Sequence, residues 1–380
     1  MRIATFNVEN LFDRAKVFND PDPNAHRAVI DAQAGLNKLF ELPVYTAAAK
    51  ADMLVQMAVL GVLNARQAGP FALIRRNRGQ LVSFPRAGGA VIVARGRGDW
   101  VGWCDLVRDA VDAEAMVNTA RVIRDVAADV LAVVEAESRP VLKRFHALLS
   151  ARLGVAEVYR HIMLVDGNDD RGIDVGLATR AGYPIGPVLS HVDLLLPGGE
   201  PVFSRDCPQY EVMTPQGVPL IVLPNHFKSK FGGNDLASRA KRLAQARAVA
   251  AIYAGLRAAG RDHVVVLGDL NDTPDSAELQ PLVQGTDLRD ISTHPAFADF
   301  EFLAGNGQRG IGTFGLGNDD SKIDYILLSP ALYDRVRGGG IFRKGAWPGV
   351  RPARWAVYPE LTAPHQAASD HHAVFADIDL

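Results

Sequence analysis

The sequence predicts an α/β fold of sheets covered by helices, and three observations predict it. Residues 130–134 and 264–267 are unbroken apolar runs, the pattern of strands buried on both faces. Helical patterns at 118–128, 141–153 and 236–259 alternate with the strand candidates, which argues for layers rather than a bundle or an all-β barrel. The chain is long enough for a large core, with 380 residues, 48% of them hydrophobic and 22% charged.

In chain order, residues 3–8 read as the first strand. Residues from about 14 to 117 behave differently and read as an insertion into one large domain spanning 1–380. Within it, 36–66 is rich in Ala and Leu and predicts one or two helices, followed by short β-like runs at 71–74, 80–84 and 90–94. Between 75 and 97 stand Arg75, Arg76, Arg78, Arg86, Arg95 and Arg97 with no acidic residue, followed by Trp100 and Trp103. Two readings stay open: a solvated β-hairpin whose arginines pair with acids elsewhere, or a cationic arm that grips phosphates. After the insertion, further strands are expected at 176–179, 220–223, 323–328 and 373–378. Gly338, Gly339 and Gly340, and the Pro-rich stretch 348–364, read as surface loops.

The net charge of -2 excludes polyanion binding by bulk electrostatics, so a nucleic-acid contact needs a local basic patch. Two cysteines, Cys104 and Cys207, make neither a disulfide framework nor a paired zinc signature, and favour a reduced compartment. No apolar run reaches the ~18 residues of a membrane span. No basic and apolar leader precedes the first strand, so a cytoplasmic protein with no obligate protein partner is expected, secretion staying open.

Chemistry gathers where apolar runs end. Asn7 and Glu9 close the first strand on one side of it by alternation. Residues 129–137 run an apolar strand into Glu135 and Glu137; a carboxylate there is costly unless paired or bound to a cation, and it suits Mg²⁺. Residues 264–274 lead through Gly268 to Asp269 and Asn271, an acceptor and a donor able to address one ligand. Asp370, His371 and His372 precede the last strand and supply a carboxylate beside an imidazole that titrates near neutrality. Asp324 opens an apolar strand and could orient such an imidazole, and His226 with Lys228 and Lys230 ends another.

This order of strand-end motifs resembles the endonuclease/exonuclease/phosphatase superfamily, to which DNase I belongs, over residues 1–12 and about 118–380. The resemblance implies a four-layer α/β sandwich of two mixed β-sheets flanked by helices. It implies a divalent cation, Mg²⁺ or Mn²⁺ with Ca²⁺ as an alternative, held by Glu135, Asn7 and Asp370. His371 would be the general base oriented by Asp324. Asp269 would align the water or assist the leaving group, Asn271 would donate to a phosphate oxygen, and His226 would stabilise charge on phosphate. Arg171 would contact phosphate. Val134 stands where this strand motif usually carries Gln. His226 stands on the DNase I and sphingomyelinase side of the family, away from abasic-site endonucleases. The expected activity is a nuclease cutting phosphodiester bonds, with its Arg-rich insertion lining the substrate groove. A phosphoesterase of small or lipid substrates is the alternative, and an inactive binding protein the third.

Overall fold

The computed structural model describes residues 1–11, 13–18, 24–86, 88–110, 114–156, 158–169, 172–230, 235–298, 310–350 and 353–380. The chain divides into two compact units, residues 1–12 with 113–380 and residues 13–112.

The first unit holds two six-stranded mixed sheets. One is ordered Val336–Phe342, Ala373–Ile378, Arg2–Leu11, Val130–Ala136, Asp174–Thr179, His161–Val165. The other is ordered Ile185–Leu189, Gln209–Met213, Pro219–His226, Val264–Asp269, Asp324–Leu328, Arg289–Asp290. Each sheet has one parallel pair at its centre, Arg2–Leu11 with Val130–Ala136 and Pro219–His226 with Val264–Asp269.

The unbroken apolar runs are explained by what covers each face. Val130 and Ala132 pack with Val222, Val265 and Leu267 in a core between the sheets. Leu131 and Val133, pointing the other way, pack with Val122, Ile123 and Phe145 of helices Glu114–Val126 and Arg139–Leu153. On the far side Ala246, Val249 and Tyr253 of helix Leu236–Ala258 cover Ile221, Leu223 and Val266. Helix, sheet, sheet and helix make four layers, and alternate residues of one strand serve two cores.

Two helices also fix the segments that lead to the strand-end residues. Thr119 Oγ1 donates to the Ala368 carbonyl at 2.8 Å, tying Glu114–Val126 to the approach of Asp370 and His371. The buried Arg242 of Leu236–Ala258 pairs with Asp272 at 2.9 Å, and Gln245 Oε1 accepts from the Lys228 amide at 2.8 Å.

The expected loop at Gly338, Gly339 and Gly340 is a correction: all three lie inside the edge strand Val336–Phe342. A Cβ on Gly339 would come within 3.0 Å of Ile291 Cγ1 and of the Phe375 carbonyl, so missing side chains let this strand pack closely. Strands His161–Val165, Ile185–Leu189 and Gln209–Met213 are additional to those read from sequence.

The second unit has its own core, in which Leu36, Phe40, Met53, Met57, Ile74 and Trp100 are buried together. Its helices are Arg27–Phe40 and Ala47–Val59, the first starting well before the expected 36. Val29, Ala32, Leu36 and Phe40 repeat at helical spacing and supply its inner face. Pro43 interrupts the pattern and Thr46 caps the second helix, its Oγ1 accepting from the Ala49 amide at 3.2 Å. Strand Ala72–Arg78 pairs antiparallel with Val101–Leu106, and Val82–Ser83 with Val91–Ile92.

Cys104 and Cys207 are buried and free. Among the described residues no helix is long and apolar enough to cross a membrane.

Candidate active site

Register brings the polar strand ends together. His226, Asp269 and Asp324 are direct neighbours across three adjacent strands of the second sheet. Gly268 permits that row: its φ is 129°, and a Cβ there would lie 2.0 Å from the Asn225 carbonyl on the paired strand. From the first sheet Asn7, fully buried, brings its amide Nδ2 to 3.2 Å from Asp269 Oδ2, 3.3 Å from Glu135 Oε1 and 3.4 Å from His371 Nε2. His226 Nε2 lies 3.6 Å from Asp269 Oδ2 and 3.7 Å from Glu135 Oε1. Glu9, Glu135, His226, Asp269, Asn271, Asp370 and His371 line one cleft.

The two histidines of the last motif part ways. His371 Nδ1 donates to Asp324 Oδ2 at 2.9 Å, and its Nε2 faces Asp269 Oδ2 at 3.9 Å and Asp370 Oδ1 at 3.8 Å. Asp324 Oδ2 also accepts from Thr313 Oγ1 at 2.7 Å, so two donors fix the carboxylate that fixes the imidazole. Phe314 packs edge-on against the His371 ring with centroids 5.0 Å apart. His372 instead packs edge-on against Trp355, its Nε2 donating to the Gly315 carbonyl at 3.1 Å. Burial, then the Arg343 charge, holds His372 well below the usual histidine range, which leaves it a neutral packing residue.

Three cleft residues stand in the left-handed backbone region: Glu9 at φ 52°, Glu135 at 68° and Asn271 at 54°. Side chains rarely adopt it, at a strain of order 1–3 kcal/mol each. Glu9 and Glu135 lie in the last residues of strands Arg2–Leu11 and Val130–Ala136, where the ladder register shifts, and Asn271 lies just past Val264–Asp269; the irregular backbone aims a polar group instead of continuing the pleat. Asn271 holds Asp269 twice, its backbone amide to Oδ1 at 2.8 Å and its Nδ2 to Oδ2 at 3.0 Å, while Nδ2 also donates to the Phe227 carbonyl at 3.2 Å.

Negative charge is crowded here. Burial, then Asp324, pushes Asp269 up to about 7. Burial also raises Glu9 and Asp370 above the ordinary carboxylate range. Burial opposes the charged form of His371, but Asp324, Asp269 and Asp370 outweigh it and lift the imidazole to about 10. Carboxylates held this way fit a divalent cation, whose charge would relieve their repulsion and return the imidazole toward the range of a base. Asp269, Asp324 and His371 offer atoms within 4.8 Å of one another. The 2.9 Å bond between His371 and Asp324 already occupies two of those groups, so the Glu135 side of the cleft suits an ion better.

Against this geometry, residues 108–371 match the model of the endonuclease/exonuclease/phosphatase family. The chain belongs to that family. Members of the endonuclease/exonuclease/phosphatase family are phosphoester hydrolases. None of the curated proteins matches the chain. Among solved structures it is similar to a mannosyl-6-phosphatase of Bacteroides thetaiotaomicron, at 15% identity and TM-score 0.49 over 70% of this chain and 91% of that one. It is similar to truncated Caenorhabditis elegans TDP2 (16%, TM-score 0.46, 69% and 88%). It is also similar to the human Nocturnin catalytic domain with bound sulfate (15%, TM-score 0.48, 70% and 85%).

Of the family residues expected from sequence, Asn7, Glu135, His226, Asp269, Asn271, Asp324, Asp370 and His371 meet at this site, and Arg171 lies outside the described residues. Glu137, the alternative to Glu135, does not line the cleft. Sequence reasoning left out Glu9, whose Oε2 accepts from the Asp370 amide at 3.0 Å, although strand alternation from Asn7 already pointed to it. It also left out Thr313 and Phe314, which no local pattern marks.

Proposed function

We propose that the cleft hydrolyses phosphodiester bonds, with nucleic acid as the substrate and Mg²⁺ or Mn²⁺ as the ion. The observation that carries the reading is the His371–Asp324 pair at 2.9 Å, which turns His371 Nε2, 3.4 Å from the Asn7 amide, onto the carboxylates gathered around Asn7. Glu135 would hold the ion with Asp370 and with Asn7 through its Oδ1, which accepts from the Glu9 amide at 3.1 Å. When bound, it supplies Lewis-acid stabilisation of charge on the phosphate oxygens. His371 Nε2 takes the proton of the attacking water, and Asp324 keeps the other ring nitrogen protonated and the ring aimed. Asp269, clamped by Asn271 and Asn7, aligns that water or assists the leaving group. Donation from Asn271 to a phosphate oxygen takes one amide hydrogen away from Asp269 or Phe227. His226 donates toward the equatorial oxygens, where charge develops during in-line attack.

A second reading, a small or lipid phosphoester as substrate, is favoured by the net charge of only -2. Plasmid, single-stranded DNA, RNA and bis-nitrophenyl phosphate incubated with Mg²⁺, Mn²⁺ or EDTA separate the two. Nicking or trimming of nucleic acid that EDTA abolishes is the expected result. Turnover of the small diester alone would favour the second reading, and equal rates in EDTA would end the metal-dependent one.

A further inference from the structure

The arginines of the second unit remain outside the chemistry above. Strand Ala72–Arg78 starts with the usual alternation, Ala72 and Ile74 buried, and then exposes Arg75, Arg76, Asn77 and Arg78 in succession. A register shift between Arg76 and Arg78 accompanies the change, since an irregular ladder twists the strand and re-aims its side chains. Gly79 then turns at φ 78°, and a Cβ there would lie 2.2 Å from the Asp99 carbonyl, which pins the end of the ribbon. Three arginines of the stretch have local acids: Arg75 with Asp105 at 3.4 Å, Arg95 with Asp99 at 3.5 Å, and Arg97 with Glu41 at 3.3 Å. Arg76, Arg78 and Arg86 are exposed and have no carboxylate partner among the described residues. Directly opposite Arg75 in the ladder stands Trp103, 49% exposed, whereas Trp100 three residues earlier is 1% exposed in the core of the unit. Arg76 and Arg78, on a pinned two-stranded ribbon that also carries the exposed Trp103 indole, and Arg86, just past the short strand Val82–Ser83, match the chemistry of unpaired nucleotides: phosphates for the arginines, a base face for the indole.

We propose that this ribbon, together with Arg86 just past strand Val82–Ser83, binds single-stranded nucleic acid through Arg76, Arg78, Arg86 and Trp103. The proposal rests on the nucleic-acid reading of the cleft and adds the surface that holds the strand. Charge complementarity selects the partner, and the exposed tryptophan selects unpaired over duplex strands, because stacked neighbouring pairs cover the base faces inside a duplex.

The test uses the full chain in EDTA, with a fluorescein-labelled 20-nucleotide single strand, and measures Kd across a salt series. Arg76→Gln, Arg78→Gln and Arg86→Gln combined should flatten the slope of log affinity against log salt by about 2, at ~0.7 for each phosphate no longer neutralised. Trp103→Ala should weaken binding ~10-fold without changing that slope, as removal of one stacked base does. Both variants should turn over bis-nitrophenyl phosphate at the parent rate. Parent affinity and slope in the arginine variant, or a parent that fails to bind the strand, overturns the proposal. So does binding to phosphatidylserine vesicles that falls with the same arginines and ignores Trp103, which would reassign the surface to lipid. A parent that binds the strand with a steep slope yet leaves it uncut with Mg²⁺ supports the surface and removes the nuclease reading, so the two fail separately.

Discussion

The cleft of the first unit and the ribbon of the second both present charge, and they present it in opposite ways. In the cleft, Asp269 and Asp324 are almost wholly buried, each is held by several donors, and three nearby residues have a left-handed backbone. On the ribbon Arg76 and Arg78, and beyond it Arg86, lie in solvent with no acid to hold them among the described residues. The difference fits the roles proposed for the two surfaces. Moving a proton at one atom demands fixed distances, so the groups are buried and cross-braced; attracting a polyanion demands only charge, which works from flexible side chains in water. Substitutions should therefore change rate in the cleft and affinity on the ribbon.

The largest effect is expected at the base. His371→Ala should lower kcat by ~10²–10⁴-fold, the usual scale of positioned proton transfer, in single-turnover assays with Mg²⁺. A drop below threefold would break the contrast at its root. Next, the two tryptophans of the second unit separate core from surface within one chain segment. Trp100→Ala should cost about 3–5 kcal/mol in urea unfolding, and a comparable cost for Trp103→Ala would mean that the ribbon is a structural element rather than an exposed one.

Thr313→Val sharpens the comparison inside the cleft. It removes the 2.7 Å donor to Asp324 while keeping the shape, which should lower kcat roughly tenfold and leave KM alone; Thr313→Ser should restore it. Equal activity in the valine variant would show that His371 alone fixes the carboxylate. The smallest effect is expected where the ribbon meets solvent. The combined arginine-to-glutamine variant should unfold within ~0.5 kcal/mol of the parent, and a larger change would mean that those side chains support the fold.

How far this was legible in sequence differs from element to element. The apolar runs at 130–134 and 264–267 announced doubly covered strands, and both are, since one sheet packs on one face and helices on the other. Gly338, Gly339 and Gly340 read as a loop, because nothing local reveals that Ile291 and Phe375 approach too closely for a side chain. The Arg-rich stretch read as either paired or free, and it is both: Arg75, Arg95 and Arg97 have acids, and Arg76, Arg78 and Arg86 have none among the described residues.

By itself, the sequence determined which residue types end which strands, since abrupt passage from apolar run to Asn, Asp, Glu or His is a local signal. Residue type alone left His371 beside His372 and Glu135 beside Glu137; the order of motifs and nearness to the strand favoured His371 and Glu135, and nothing marked Thr313. Those choices depend on register between strands distant in the chain, on strand irregularities such as the one at Glu135, and on which neighbour each ring meets after packing. Local periodicity is a property of a few consecutive residues; the hydrogen-bonded pair His371–Asp324 joins segments 47 positions apart, and only folding to a fixed register sets its 2.9 Å.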